Sequence, residues 1–471
     1  MTTPRYPAST DLDAETLRRY DRPGPRYTSY PSADRFHDGV GPHAARDALV
    51  GAAHAPGPIA LYLHLPFCEH RCLYCACNVV ITRRRDVADP YLDRLVAEAD
   101  LVAGALGATA AERRPVAQLH LGGGTPTYYA PDQLDRLLSR LEDRFRFTPN
   151  AERSVEIDPR VTRPEHLEIL AGHGFQRLSV GVQDVDPQVQ KAVHREQSQR
   201  DTEEQVRLAR SLGFGSVNVD LIYGLPHQTR ASFARTIDEV LTLGPDRLAV
   251  YSFAFVPWIR PHQKLLDRDA MPTGIDKHHL LADARGTLLA RGYHDVGMDH
   301  FARHDDELAV AQREGRLHRN FMGYTTMPAA DLIGLGVSAI GFVGGTFLQN
   351  AKKLSAWNRA IDSGQLATER GYRRTSEDAL RGDVIHAWMC GLRIDKRAIE
   401  ARHGVAFDAA FAGEMTDLEA MEEDGFVVLR PETIEAGPLG RPFARNVAMV
   451  FDPVMRERRG ADEGPRYSRT V

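Results

Sequence analysis

The 471-residue sequence has no long apolar run: the strongest near its start, Ile59 to Leu65, is interrupted by His64 and ends at Pro66, far short of the roughly 20 residues that cross a bilayer. It has no excess of basic charge either. Lys and Arg number 59 against 64 Asp and Glu, a formal charge of −5, so no global field draws nucleic acid or anionic lipid and any anion site is local. No apolar stretch follows Met1-Thr2-Thr3-Pro4-Arg5, which argues against secretion and makes a reducing cytoplasm the expected compartment. Cysteine is scarce, with five in all, and in that compartment it needs a reason other than disulfides. What is present is globular: 42% hydrophobic and 26% charged residues, in a length that fits two to four domains or one large barrel with additions. There is no fixed-period repeat and no low-complexity segment.

Four of the five cysteines, Cys68, Cys72, Cys75 and Cys77, fall within ten residues as C-x3-C-x2-C-x-C. Thiolates this close do not easily surround one zinc ion, whose four-cysteine sites draw ligand pairs from separated turns. A cubane iron–sulfur cluster is larger and takes three thiolates from one short loop, leaving an iron open to a further ligand. Zinc and a thiol-redox loop remain the alternatives. Cys77 is left over by a three-cysteine cluster, and Cys390, far along the chain, reads as a small buried hydrophobe.

The alternation Ile59-Ala60-Leu61-Tyr62-Leu63-His64-Leu65 predicts a buried strand running straight into the cysteine loop. A helix follows behind Asp89-Pro90, with Leu95, Ala99, Val102 and Leu106 at helical spacing. The same grammar repeats, with strands over 116–120, 154–157, 177–182, 216–222 and 247–253 and helices near 131–144, 163–173, 200–212 and 230–243. Six β/α units predict a parallel sheet, either open and doubly wound or a partial barrel. Such folds gather chemistry at strand C-termini. There the sequence places Gly122-Gly123-Gly124-Thr125-Pro126, Glu156 with Asp158, Gln183 with Asp184, Tyr223-Gly224-Leu225-Pro226 behind Asp220, and Ala254.

The spacing of Cys68, Cys72 and Cys75, with Tyr74 before the last, resembles the signature of the radical S-adenosylmethionine (SAM) superfamily. The wider chain resembles the oxygen-independent coproporphyrinogen III oxidase family. The likeness rests on Arg26-Tyr27-Thr28-Ser29-Tyr30-Pro31, Glu156-Ile157-Asp158-Pro159-Arg160 and Gly297-Met298-Asp299-His300-Phe301-Ala302-Arg303. It extends to Arg319-Asn320-Phe321, Gly323-Tyr324-Thr325-Thr326 and Arg466-Tyr467-Ser468-Arg469-Thr470-Val471. Haem-binding chaperone-like relatives ordinarily lack the fourth cysteine and this N-terminal arm. Haem-degrading methyltransferases of the superfamily should not match the terminal string so closely.

The resemblance implies a partial (β/α)6 TIM-like radical SAM barrel over residues 59–260, an N-terminal arm or lid over 1–58, a barrel extension over 261–374, and a mainly helical C-terminal domain over 375–471. It implies a [4Fe–4S] cluster on Cys68, Cys72 and Cys75, with SAM, in two copies, against Tyr62, Gly123, Gly124, Thr125, Glu156, Gln183, Arg195, Asp220, Ala254 and Ile340. Phe321 matches a position near the cofactor. Two propionates of coproporphyrinogen III would become vinyl groups without oxygen, giving protoporphyrinogen IX in haem biosynthesis. A low-potential donor such as flavodoxin or ferredoxin would supply electrons, and a monomer is expected. Arg26, Arg319 and His300 are candidates for the substrate's carboxylates, and Arg26, Tyr27 and Tyr30 for lid contacts. The sequence departs from the family at Ala76, where glycine is expected, at Phe255, where histidine is common, and at Met322 and Met327, where glutamine is expected.

Toward the C-terminus, 331–343 reads as a glycine-rich packing or cofactor-facing turn. After about 375, helical patterns precede Gly425-Phe426-Val427-Val428-Leu429 and a turn-rich stretch, a winged-helix-like sequence of elements. Its acidic run, Asp417, Glu419, Glu422, Glu423 and Asp424, opposes phosphate binding, so neither nucleic acid nor membrane is expected as a partner. Arg83-Arg84-Arg85 reads as a solvated loop.

Overall fold

The computed structural model describes residues 14–327, 331–457 and 467–470; Arg466 and Val471 of the terminal string lie outside them. Six strands, β1 Ile59–Leu65, β2 Val116–Gly123, β3 Phe147–Ile157, β4 Arg177–Gln183, β5 Ser216–Tyr223 and β6 Arg247–Ser252, pair in parallel in sequential order. Each is followed by a helix: α1 Ala88–Leu106, α2 Pro131–Arg144, α3 Pro164–Gly172, α4 Gln199–Ser211, α5 Arg230–Leu241 and α6 Gly274–Ala290. Sequential order with crossovers of one hand places every helix on one face, which curls the sheet into a partial barrel and excludes the doubly wound alternative, whose strand order reverses.

The barrel does not close. The free edge of β6 pairs with the antiparallel hairpin β7 Tyr293–Gly297 and β8 His300–Arg303. The free edge of β1 pairs in parallel with β9 Asp331–Leu335, which continues into the antiparallel strands β10 Ile340–Val343, β11 Thr346–Asn350 and β12 Thr368–Arg373. The stretch 331–343 is therefore sheet, not the turn its glycines predict. Its Gly334 pairs with Tyr62 and lets the β10 backbone approach, since a Cβ there would lie 2.7 Å from the Ile340 carbonyl oxygen.

Along each barrel strand outward residues are apolar and inward ones polar. Leu119, Val155, Leu178, Val217 and Leu248 belong to the main core with the helices. Gln118, Ser154, Ser179, Asn218 and Tyr251 are among the residues that line an interior cavity of about 160 Å³. Glu98 of α1 ties the extension to the barrel, accepting from the Gly336 N–H and Asn350 Nδ2, both at 2.6 Å. Burial raises its pKa from 4.5 to about 7, against those hydrogen bonds. The folded state thus holds this proton more tightly than the unfolded one. Its stabilising contribution is full below pH 4.5 and is lost as pH rises through 7, a change of about 3 kcal/mol. Urea unfolding between pH 5 and 8 is expected to show wild type losing this increment relative to Glu98→Gln. A pH-independent difference would contradict the assignment.

A second core gathers Trp388, Phe407, Leu418, Phe426, Phe443 and Phe451 of the C-terminal region around Leu17, Tyr20 and Tyr27 of the arm. The region runs helix Ser376–Gly391, strand Arg393–Asp395, helices Lys396–His403, Phe407–Ala410 and Ala412–Glu423, then a hairpin of Val427–Leu429 and Thr433–Ala436 that completes a three-stranded sheet. The two chain ends are laced together: Pro23 bridges Arg469, Gly24 N–H donates to Ser468 O at 3.1 Å, and Thr470 N–H to Arg22 O at 3.0 Å. Arg445 sits inside this lacing and donates to the carbonyls of Gly24, Pro25, Ser468 and Arg469.

Candidate active site

The cysteine loop leaves the C-terminal end of β1. Phe67–Cys68 and Val80–Ile81 pair as a short parallel clasp that closes it. From beyond β6, Arg260 Nε donates to Ala76 O at 2.8 Å, His262 Nε2 lies 2.8 Å from Cys75 O, and the buried Gln263 donates to the carbonyls of Tyr74 and Ala254, each at 3.1 Å. The loop is thus held through its backbone, while the Cys68 and Cys72 thiols meet side chains of the barrel. Cys68 Sγ lies 3.3 Å from Thr125 Oγ1. Cys72 Sγ receives Arg160 Nη2 at 3.4 Å and Arg195 Nη1 at 3.6 Å.

These environments differ in the charge they favour. Burial pushes the Cys68 thiol up to about 12. The Cys75 thiol is pushed down to about 6 by a hydrogen bond from Cys77, with Arg260 and Arg71 assisting against burial. Cys77 is raised by the same contact. Among the described residues no three His, Cys, Asp or Glu side chains are gathered around a single ion position. Three thiols spaced along one backbone-held loop, with two guanidinium groups on one of them, fit a larger anionic cluster.

Across the mouth, Gly123 (φ +109°) turns the end of β2 so that its N–H donates to Glu156 Oε2 at 3.2 Å. Gly124 packs directly on the strand that feeds the cysteine loop, where a Cβ would lie 2.6 Å from Pro66 O. Burial works against the Glu156 charge, but the hydrogen bond and charge of His120 and the Gly123 N–H bring its pKa below the ordinary value. His120 also stacks on Tyr62, ring centroids 5.9 Å apart, and Tyr62 OH lies 3.0 Å from His64 Nδ1. Asp220 accepts from Ser179 Oγ and Asn218 Nδ2, at 2.9 and 2.8 Å; burial, then the neighbouring Glu156, raises it to about 6.

Gln183, in the left-handed region at φ +73°, ends β4 with its amide beside Arg195 over Gly181. Arg195 is no solvated helix charge. It is buried, with Nη1 on Asp158 Oδ2 at 3.1 Å and Nη2 on Gly181 O at 2.6 Å, while its buried Nε has no partner among the described residues. Burial opposes the Asp158 charge, yet Arg195 and Arg160 hold it down at about 2. Ala254 follows β6, and Ile340 lies two strands from Tyr62, beyond Gly334.

The arm brings cations over the same mouth. Arg26 lies over the Tyr251 ring at 5.5 Å and pairs with Asp299, and Arg319 Nη1 donates to Arg26 O at 2.5 Å. Burial and mutual repulsion lower Arg26, bring Arg445 to about 9 and drive His300 down to about 3. Phe321 packs edge-on against Phe347, and both border a second cavity of about 340 Å³ that also receives Arg319, Arg374 and Tyr30. Tyr27 is buried in the C-terminal core, its OH on Asp452 Oδ2 at 3.1 Å, so it fastens the arm. Met322 lines the interior cavity, Met327 N–H donates to Thr325 Oγ1, and Phe255 packs against the cluster of Leu73 and Phe253.

Sequence reasoning missed His64, His120, Tyr251 and Arg445. The first three carried a signal, polar or aromatic residues at every second strand position. With Cys68, Cys72 and Cys75 as the expected ligands, Cys77→Ser is expected to leave iron content and cluster absorbance unchanged; iron loss in that variant would make Cys77 a ligand.

Residues 62–240 match the model of the radical SAM superfamily. The chain is 44% identical over 442 residues to the oxygen-independent coproporphyrinogen III oxidase of Pseudomonas aeruginosa, covering 93% of this chain and 95% of the relative. It is 42% identical over 452 residues to the enzyme of that name from Escherichia coli, covering 95% and 96%. The solved structure of coproporphyrinogen III oxidase from Escherichia coli, described as a radical SAM enzyme, superposes with a TM-score of 0.88 at 41% identity, covering 94% of this chain and 99% of that one. No helix among the described residues is long and apolar enough to cross a membrane. With the thiol loop, the partial barrel and near-complete coverage in agreement, the chain belongs to the oxygen-independent coproporphyrinogen III oxidase family of radical SAM enzymes.

Proposed function

We propose that this chain converts two propionate side chains of coproporphyrinogen III to vinyl groups, giving protoporphyrinogen IX, as a cytoplasmic monomer. It would hold the cluster on Cys68, Cys72 and Cys75 and two SAM molecules at the mouth. When bound, the cluster and SAM supply a 5′-deoxyadenosyl radical; the difficult chemistry is theirs. At each propionate a hydrogen atom leaves the β-carbon, and loss of CO2 and one electron leaves the vinyl group.

The chain's own residues bind and orient. Glycines 123 and 124 pack the turn closely on His64 and Pro66 and so set its backbone toward the amino acid end of SAM, the unpartnered Arg195 Nε offers a donor to its carboxylate, and Asp220 and Glu156 accept from its polar groups. Arg26 and Arg319 meet substrate carboxylates, and the arm excludes water and stray hydrogen donors. A low-potential protein such as flavodoxin or ferredoxin supplies the electron. The observation that carries this reading is the placement of Arg26 and Arg319 together over the mouth, Arg26 on the Tyr251 ring and Arg319 on the Arg26 carbonyl: two adjacent, mutually repelling cations there suit a substrate with four carboxylates.

The test is anaerobic reconstitution with coproporphyrinogen III, SAM and a low-potential reductant, reading porphyrin products and 5′-deoxyadenosine by chromatography and mass spectrometry. Protoporphyrinogen IX with about two 5′-deoxyadenosines per product is expected. SAM cleavage without porphyrin product would move the substrate to a relative's, and stable haem binding without turnover would favour the chaperone-like branch.

A further inference from the structure

The segment 256–269 after β6 has two sides. Inward, Arg260, His262 and Gln263 grip the carbonyls of Ala76, Cys75 and Tyr74. Outward, Trp258, Ile259 and Leu265 are 47%, 51% and 72% exposed. They are three of the five large hydrophobic side chains exposed among the described residues, and they fall within eight consecutive positions. Single exposed hydrophobics are ordinary on a protein surface, whereas such a grouping marks a contact surface. It lies one layer of side chains from Cys75.

The surrounding charge is opposite to that of the whole chain. Segments 69–86 and 256–269 together carry seven Arg and Lys against four Asp and Glu, in a protein whose formal charge is −5. Two of the four acids, Glu69 and Asp86, are already paired with Arg85 and Arg84. Arg71, Arg83, Lys264 and Arg268 are exposed around the apolar residues' segment and the thiol loop. An apolar centre with a basic rim is the complement of an acidic protein. A second copy of this chain would bring two basic faces together, which disfavours self-association here.

We propose that Trp258, Ile259 and Leu265, with the basic rim of Lys264, Arg268, Arg71 and Arg83, form the docking surface for an acidic one-electron carrier protein that reduces the cluster behind the loop. This rests on the radical SAM reading above. One electron leaves the carrier, which is oxidised by one, and the cluster is reduced by one; no atom is transferred between them. The carrier docks on the outer side of the loop while substrate and SAM occupy the barrel mouth, so electron delivery and substrate binding do not compete for space. The encounter belongs to the small, transient class of interfaces and weakens with salt.

The test uses anaerobically reconstituted holoenzyme and purified bacterial flavodoxin. Titration calorimetry gives the Kd for oxidised flavodoxin, and stopped-flow absorbance gives the rate at which reduced flavodoxin is reoxidised. Trp258→Ser with Leu265→Ser, and separately Lys264→Glu, are each expected to raise Kd about tenfold or more and to slow reoxidation below saturation in proportion. Dithionite-driven 5′-deoxyadenosine formation is expected to stay at the wild-type level, because a small reductant needs no dock. Unchanged Kd in Lys264→Glu and in the apolar pair would overturn the proposal. So would wild-type dimerisation dispersed by Trp258→Ser, which would make the surface a self-contact. Failure of wild type to cleave SAM with dithionite would overturn the radical SAM reading instead, independently of flavodoxin affinity.

Discussion

Cys72→Ser is expected to empty the site of iron and to abolish SAM cleavage. Cys72 is buried, and Arg160 Nη2 and Arg195 Nη1 converge on its sulfur. A serine hydroxyl stays protonated there and supplies neither the charge nor the soft donor that iron–sulfur ligation needs. Changes to groups that merely support a metal ligand cost about 10–100-fold, so removal of the ligand itself is expected to exceed about 100-fold in 5′-deoxyadenosine formation. Iron content should fall from about four per chain to a residue, with Cys390→Ser, buried far from the loop, as the unaffected control. Undiminished cleavage would remove Cys72 from the ligand set.

Arg319→Ala is expected to raise KM for coproporphyrinogen III about 10–100-fold, the equivalent of one lost hydrogen bond to a charged group. Arg26 already has Asp299 as counter-ion, whereas Arg319 spends one donor on the Arg26 carbonyl, lies over the Tyr324 ring at 5.3 Å and keeps a buried Nε without a partner among the described residues. It is the better placed of the two to meet an incoming carboxylate. Steady-state vinyl formation against substrate concentration measures the effect, and substrate-free SAM cleavage should not change. Arg319→Lys should recover only part of the loss, since an ammonium cannot reproduce the guanidinium fork. An unchanged KM in the alanine variant would place the substrate elsewhere in the mouth.

The thiol loop and the six β/α units were legible because their signals are local. Cysteine spacing, alternation into Leu65 and a Pro-led helix start at Asp89-Pro90 each occupy a few residues. Strand β9 was not legible, because Asp331 and Gly334 break its apolar pattern and its partner, β1, lies about 270 positions earlier. Arg195 was read as a ligand contact, yet its engagement with Asp158 and Gly181 depends on β3 and β4 lying side by side, which a linear pattern does not encode. Arg445 carried no signal at all: a lone arginine in an apolar helix gives no hint that its targets are four carbonyls at opposite ends of the chain.

That lacing imposes an order on synthesis. The backbone at Pro23 and Gly24 finds these partners at Ser468 and Arg469, which leave the ribosome after the whole barrel. At about 5–20 residues per second, the arm waits tens of seconds unfastened, first while the barrel is made and then while the C-terminal region follows. During that interval Arg26 is not yet fixed over the Tyr251 ring, so the mouth lacks the contact that the fastened arm makes there. Residues 468–470 therefore act as a latch that fastens the arm, and with it Arg26, over the mouth.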